Sequence, residues 1–67
     1  MIVAIHKGVE IEMTLRQLPD GQWTGDFVID PKGSREVFMP EGLAFATREL
    51  AKETGLNEAR AHIDRTR

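Results

Sequence analysis

The stretch FATRELAKETGLNEARAHID, residues 45–64, contains the only long helical pattern in the chain. Its structure decides the fold, because it forms either one helix across the rest of the chain or two helices broken at Gly55. Ala51, Gly55, Ala59 and Ile63 recur at every fourth position. In a single helix these residues lie on one face, and their small size lets the helix pack close to a surface.

A break at Gly55 is the alternative. Leu50 and Leu56 project in widely different directions on a helical wheel, which favours a left-handed C-cap at Gly55 and a second helix capped by Asn57. That arrangement resembles the centre of a helix-turn-helix, which needs a third helix to complete its core. Because the rest of the chain has strand patterns, one continuous helix with Thr47 as its N-cap is favoured.

Three segments before the helix have the features of β-strands. Apolar and polar residues alternate over residues 9–15, as in a half-buried strand. Pro19-Asp20-Gly21 and Pro31-Lys32-Gly33 each have the chemistry of a three-residue hairpin loop. These loops delimit two further strands, residues 22–30 and residues 34–39, and together they predict an antiparallel meander. Residues 40–43 are then the crossover loop to the helix.

The two loops also predict the register of the sheet. Counting back from the first loop places Leu15 opposite Gly25, Met13 opposite Phe27 and Ile11 opposite Ile29. Counting from the second places Ile29 opposite Arg35, Phe27 opposite Val37 and Gly25 opposite Met39. The result is one apolar face, consisting of Val9, Ile11, Met13, Leu15, Trp23, Phe27, Ile29, Val37 and Met39. The opposite face is mostly acidic, with Glu10, Glu12, Thr14, Thr24, Asp26, Val28, Asp30, Glu36 and Phe38.

These patterns predict a single small α+β domain over residues 1–67. It has a three-stranded antiparallel β-meander with one C-terminal α-helix packed on one face, in the order β-β-β-α. Residues 1–6 are left open, since they form either an extended lead-in or an extra strand connected through Lys7 and Gly8. Gly25, in the middle strand, is predicted to be the gap against which Gly55 packs.

Composition excludes several classes of protein. The 67 residues include no cysteine, so disulfide scaffolds and thiolate metal sites are excluded. The formal net charge of −2 does not favour a nucleic-acid binder. No apolar run approaches the ~20 residues that span a bilayer, and the first residues lack the pattern of a signal peptide. A bacterial cytoplasmic protein without a membrane partner is therefore expected.

The helix and two earlier segments carry a motif of aromatic, small and charged residues: Phe45-x-Thr47-x-x-x-Ala51-x-x-x-Gly55-x-x-x-Ala59-Arg60-x-x-Ile63-Asp64, preceded by Gly8-x-x-Ile11 and Gly21-x-Trp23. In this motif the chain resembles a group of small uncharacterised proteobacterial proteins with a strand-strand-strand-helix domain. That resemblance implies the fold but no activity, cofactor or catalytic residue. The Gly-x-Trp strand and the Phe-x-Thr helix start also resemble the arm-type DNA-binding domain of tyrosine integrases, which reads DNA with a basic sheet. The acidic face predicted here departs from that pattern.

No catalytic pattern is present. The chain lacks a nucleophile–base spacing, a phosphate-binding glycine loop and a metal motif, so a non-enzymatic protein without cofactor or metal is predicted. His6 and His62 are interpreted as surface residues, and the carboxylates of the acidic face as solvated. Trp23 is interpreted as a core residue.

Two interaction surfaces are predicted. Val28 and Phe38 are diagonal neighbours on the otherwise polar face and are the candidate contact of a homodimer or a protein partner. The third strand is an unprotected sheet edge that permits strand addition. We therefore expect a small interaction or regulatory module that self-associates. The alternative is a nucleic-acid-binding accessory protein that uses the basic residues of the C-terminal helix: Arg48, Lys52, Arg60, Arg65 and Arg67.

Overall fold

The computed structural model describes residues 1–39 and 44–67. Within them an antiparallel sheet has the strand order β1-β2-β3-β4, and α1 packs on one of its faces over β2 and β3. The elements are β1 (Ile2–His6), β2 (Val9–Gln17), β3 (Trp23–Ile29), β4 (Glu36–Phe38) and α1 (Arg48–Thr66). The α+β class and the C-terminal helix are confirmed, while the count of three strands is wrong. The predicted crossover loop, residues 40–43, lies outside the described residues.

The additional strand is β1, which resolves the question left open for residues 1–6. Lys7 and Gly8 connect it to β2, with φ angles of 53° and 75°. Positive φ at both central residues defines the type I′ turn, whose twist matches that of the strands it joins. The usual sequence signal of this turn is Asn-Gly or Asp-Gly, so a lysine at its first position makes the hairpin hard to recognise.

The central hairpin follows its predicted register. Leu15 pairs with Gly25, Met13 with Phe27 and Ile11 with Ile29. In the loop, the backbone N–H of Leu18 donates to the carbonyl of Gln22 at 2.7 Å, and that of Gly21 donates to Leu18 at 2.9 Å. Gly21 has a φ of 90°, which is the left-handed conformation that the loop requires of its glycine.

The register of the last strand was predicted wrongly, by one residue. Ile29 pairs with Glu36, Val28 with Val37 and Phe27 with Phe38. The connecting loop is longer than predicted, because Asp30 and Arg35 are both left-handed, with φ of 53° and 48°. The backbone N–H of Arg35 also closes the loop on the Asp30 carbonyl at 2.8 Å.

A shift of one residue moves every side chain of a strand to the other face. Phe38 and Glu36 therefore lie on the helix side of the sheet, and Val37 lies on the other side. Phe38 packs against the core, whereas Val37 is 52% exposed. Met39, which was also predicted on the apolar face, is exposed as well.

The helix is continuous through Gly55, as predicted, and Thr47 caps it. The Thr47 hydroxyl accepts a hydrogen bond from the backbone N–H of Leu50 at 3.1 Å. A side chain at Gly55 would meet the terminal methyl group of Met13, so Gly55 makes room for Met13. The predicted packing of Gly55 on Gly25 is wrong, because a side chain at Gly25 would instead meet Leu15 and the carbonyl oxygen of Thr14.

The core lies between α1 and the two central strands. Its buried members are Ile11, Met13, Phe27, Ile29, Leu56, Ala59 and Ile63. Trp23 lies on the helix side of the sheet, as predicted, but it is only half-buried and lies outside this cluster. Its backbone bridges to Phe45, which extends the sheet locally at the start of β3.

Candidate interaction surface

No other helix or sheet of the described residues packs on the face of the sheet opposite α1, although Thr24 on this face is buried. We call it the open face. Because successive residues of a strand alternate between faces, the register assigns its members. They are Val3 and Ile5 of β1, Glu10, Glu12, Thr14 and Arg16 of β2, Thr24, Asp26 and Val28 of β3, and Val37 of β4.

The apolar residues of the open face are concentrated at its two edges. On β1, Val3 is 54% exposed and Ile5 is 72% exposed. On β4, Val37 is 52% exposed. Met1, next to β1, is the most exposed large hydrophobic residue in the described part of the chain. Adjacent exposed apolar side chains of this kind mark interaction sites more often than isolated ones do.

One row of directly paired residues crosses the whole sheet. Val3 pairs with Glu12, Glu12 with Val28 and Val28 with Val37. Val28 therefore lies on the open face, as predicted, but its apolar neighbour there is Val37.

Phe38, the predicted partner of Val28, is on the opposite side of the sheet. Its ring stacks on Phe27 with centroids 5.0 Å apart. The His62 ring packs against the Phe38 ring at an angle of 62°, with the two ring centroids 4.7 Å apart. The predicted placement of Phe38 on the polar face is therefore wrong, and this residue belongs to the packing between sheet and helix.

Acidic residues occupy the centre of the open face. Asp26 lies 3.6 Å from Arg16. Glu10 and Glu12 take part in none of the ion pairs of the described residues. These two carboxylates add negative charge to the open face, which would repel a phosphate backbone.

The predicted nucleic-acid residues are only partly available for such contacts. Lys52 is 3.3 Å from Glu49 and 3.9 Å from Glu53. Arg67 lies 3.6 Å from Asp30 and 3.7 Å from Glu36. Carboxylates of the chain itself therefore neutralise two of the five predicted cations.

The other three predicted cations differ in their contacts. Arg60 donates a hydrogen bond to the Asn57 side chain at 3.3 Å. Arg48 and Arg65 form no ion pair within the described part of the chain. The five cations are spread along about 28 Å of helix, from the rise of 1.5 Å per residue, and do not form one compact basic patch.

Two histidine–carboxylate contacts fasten the end of α1 to the sheet. His6 Nε2 lies 2.9 Å from Asp64 Oδ1, and Lys7 Nζ lies 2.8 Å from the same oxygen. Hydrogen bonds from the side chains of Lys7 and His6 lower the pKa of Asp64 below its ordinary value. On the other side of the helix, His62 Nε2 lies 3.1 Å from Glu36 Oε2.

These contacts could not be read from the sequence, because they join residues up to 58 positions apart. The two histidines have different partners and do not form a joint site. Within residues 1–39 and 44–67, no group of three or more potential metal ligands is present. The histidines therefore act in the described structure as links between helix and sheet.

A cavity of about 260 Å³ lies between the sheet and α1. Its walls are mainly apolar and include Met13, Phe27, Phe38, Phe45 and Ala51. Thr24, Thr54 and Glu58 are the polar residues among the described walls, and they provide no pair of acid and base. The described walls therefore offer space for an apolar group.

No protein-family model, no curated protein and no solved structure matches this chain. Its function is therefore inferred from its own geometry. In the part of the chain that the structure describes, α1 lacks the combination of length and apolar character needed to cross a membrane.

Proposed function

We propose that this chain is a non-enzymatic interaction module that self-associates through its sheet. The observation that carries the proposal is the character of β1. The side chains of residues 1–5, Met-Ile-Val-Ala-Ile, carry no charge. Four of these residues belong to β1, which lies at an edge of the sheet. Soluble proteins usually protect such edges with charged residues, proline or a covering element.

The small size of the core supports association. A domain of this length buries only about 60% of the surface that its unfolded chain exposes. Small domains often compensate by forming oligomers. Packing Val3 and Ile5 against a partner would remove apolar surface from water, which stabilises by about 25 cal/mol for each Å² buried.

The non-enzymatic part of the proposal rests on the positions of the polar side chains. His6, His62, Asp64 and Glu36 are engaged in fastening the helix end to the sheet. The cavity between helix and sheet is lined mainly by apolar residues. The described residues thus present an apolar edge rather than a reactive group in a cleft.

Sedimentation velocity over a range of concentrations tests self-association. We expect a reversible dimer that Ile5→Glu weakens strongly, because this change places a charge in the proposed contact. Leu50→Glu is the matched control, since Leu50 is 50% exposed but lies on α1. A monomer up to high micromolar concentration, or equal effects of the two variants, would contradict the proposal. Phe38→Glu is unsuitable for this test because Phe38 packs against the core on the helix side of the sheet.

Nucleic-acid binding through α1 is the weaker proposal. It is supported by Arg48 and Arg65, which have no carboxylate partner in the described ion pairs. Its signature is binding that weakens steeply with salt. An NMR titration with duplex DNA or RNA at low salt that leaves the resonances of Arg48 and Arg65 unshifted would remove it.

A further inference from the structure

We propose that two copies of this chain pair antiparallel along β1, so that their sheets join into one continuous sheet across a twofold axis at Ala4. This inference rests on the proposed self-association and specifies its geometry. The partner is a second copy of the chain, and the contact is made by backbone hydrogen bonds together with an apolar row on the open face.

The two edges of the sheet differ in their capacity for pairing. β1 is five residues long and contains no Asp, Glu, Lys or Arg; its His6 contacts Asp64 of α1. β4 is three residues long and includes Glu36. Short, charged edge strands resist pairing, and long apolar ones promote it. Because α1 packs over β2 and β3, it also leaves the outer edge of β1 uncovered.

The hairpin turn determines which backbone groups of β1 are free. In a two-residue hairpin the residues that flank the turn, here His6 and Val9, exchange hydrogen bonds with each other. Bonded and non-bonded pairs then alternate along the strand. Ile2, Ala4 and His6 therefore point their N–H and C=O groups toward β2. Val3 and Ile5 point theirs toward the open edge, where no described strand pairs with them.

With a twofold axis at Ala4, the free N–H and C=O groups of Val3 and Ile5 all form hydrogen bonds with the second copy. Ala4 is the midpoint of β1, so this register gives the longest overlap of two such strands. Val3 then pairs with the partner's Ile5, and Ile5 with the partner's Val3, which makes four backbone hydrogen bonds in an antiparallel ladder. The same pairs bring valine and isoleucine side chains together on the open face, where β-branched cross-strand neighbours pack well.

A second copy is the partner that fits these features best. The edge is self-complementary, because the twofold axis repeats every contact: Val3 bonds to Ile5 of the second copy, and Ile5 bonds to Val3 of the second copy. Each copy has one long uncharged edge, and β4 at the other side is short and charged. The association therefore closes at two chains instead of continuing into a fibre.

Disulfide trapping tests the register directly, because the chain has no native cysteine. In the proposed dimer the two Ala4 residues form a non-hydrogen-bonded pair, with Cα atoms ~4.5 Å apart, within the range that a disulfide spans. Ala4→Cys is expected to form a covalent dimer under mild oxidation. Val37→Cys, on the opposite edge, is the control and is expected to stay monomeric on a denaturing gel.

A matched pair of substitutions separates edge pairing from docking through the open face. Val3 and Val37 are 54% and 52% exposed, and both lie on the open face at opposite edges. We expect Val3→Lys to raise the dimer dissociation constant at least about tenfold, since lysine is a common protection of strand edges. Val37→Lys is expected to change it less than about twofold, because a surface site away from the contact has little effect.

The outcomes distinguish this inference from the proposed function. Covalent trapping through Ala4→Cys together with selective weakening by Val3→Lys supports edge pairing. If both lysine variants weaken the dimer equally and Ala4→Cys is not trapped, self-association stands but edge pairing is overturned. A dimer that neither lysine variant weakens also overturns edge pairing. A wild-type chain that stays monomeric overturns the inference and the proposed function together.

Discussion

The two edge strands of this sheet, β1 and β4, differ in how the rest of the molecule uses them. β4 is held from the helix side, where Phe38 stacks on Phe27 and Glu36 contacts His62. β1 contributes Ile2 and Ala4 to the border of the core, and His6 contacts Asp64 at the helix end. Val3 and Ile5 of β1 remain more than half exposed. Both edges are therefore held on the helix side, and they differ in length and in the exposed apolar side chains that β1 presents on the open face.

The largest expected change in the free energy of unfolding comes from Phe38, on the side of β4 that faces the helix. Phe38→Ala should lower the free energy of unfolding by about 2–4 kcal/mol, because it removes an aromatic side chain from the packing beneath α1. Val37→Ala is the matched control and should lower it by less than about 1 kcal/mol, since Val37 is largely exposed. Urea denaturation measures both variants. If Val37→Ala lowered the free energy of unfolding more than Phe38→Ala, Val37 would be the residue that faces the helix, as the sequence predicted. The contrast between β1 and β4 would then not hold.

Smaller changes in the free energy of unfolding are expected at the two turns that connect the edge strands to the rest of the sheet. Lys7 and Arg35 have φ of 53° and 48°, where glycine is favoured over residues with a side chain. Lys7→Gly and Arg35→Gly should each raise the free energy of unfolding by about 0.5–1 kcal/mol, because the strain of a left-handed side chain exceeds the added chain entropy. Thermal unfolding measures the change. Destabilisation by either glycine would show that its turn has another conformation.

Val3 of β1 should respond to truncation differently from the residues that pack beneath α1. Val3→Ala should change the free energy of unfolding of the monomer by less than about 0.5 kcal/mol, as is usual for exposed positions. Its effect on dimerisation should be clearly larger than its effect on folding. Denaturation at low protein concentration, compared with denaturation at high concentration, separates the two. A loss of monomer stability as large as that of Phe38→Ala would mean that Val3 is a core residue.

The smallest expected effect concerns the contact of β1 with the helix end. The pKa of Asp64 is lowered in the folded chain by Lys7 and His6, so the folded state favours the ionised carboxylate. Its stabilising contribution is present above the ordinary carboxyl pKa of ~3.9 and is lost as the pH falls through the lowered folded-state pKa. Asp64→Asn should therefore flatten the decline of thermal stability at acid pH. An unchanged acid profile would show that the contact with Asp64 contributes nothing measurable.

The fold was predictable from the sequence where local chemistry decides the structure. Pro19-Asp20-Gly21 led to the observed register of β2 and β3, and Thr47 was recognised as the helix cap. The register prediction failed for β4, because Asp30 and Arg35 adopt left-handed conformations that neither residue type signals strongly. Of the two candidate interaction residues, Val28 lies on the open face, as predicted. Phe38 does not, because one extra loop residue moved it to the helix side of the sheet, where it packs against the core.

The sequence by itself determined the α+β class, the central hairpin and the apolar face of β2 and β3, and it favoured one continuous helix. These features follow from residue periodicity and turn chemistry within short segments, which are local properties of the chain. Only the tertiary structure decided that residues 2–6 form a strand, that Phe38 faces the helix and that Val3 and Ile5 remain exposed at an edge. The contacts of His6 with Asp64 and of His62 with Glu36 also belong to this second group. They depend on packing between residues far apart in the chain, and no local pattern encodes which edge such packing leaves uncovered.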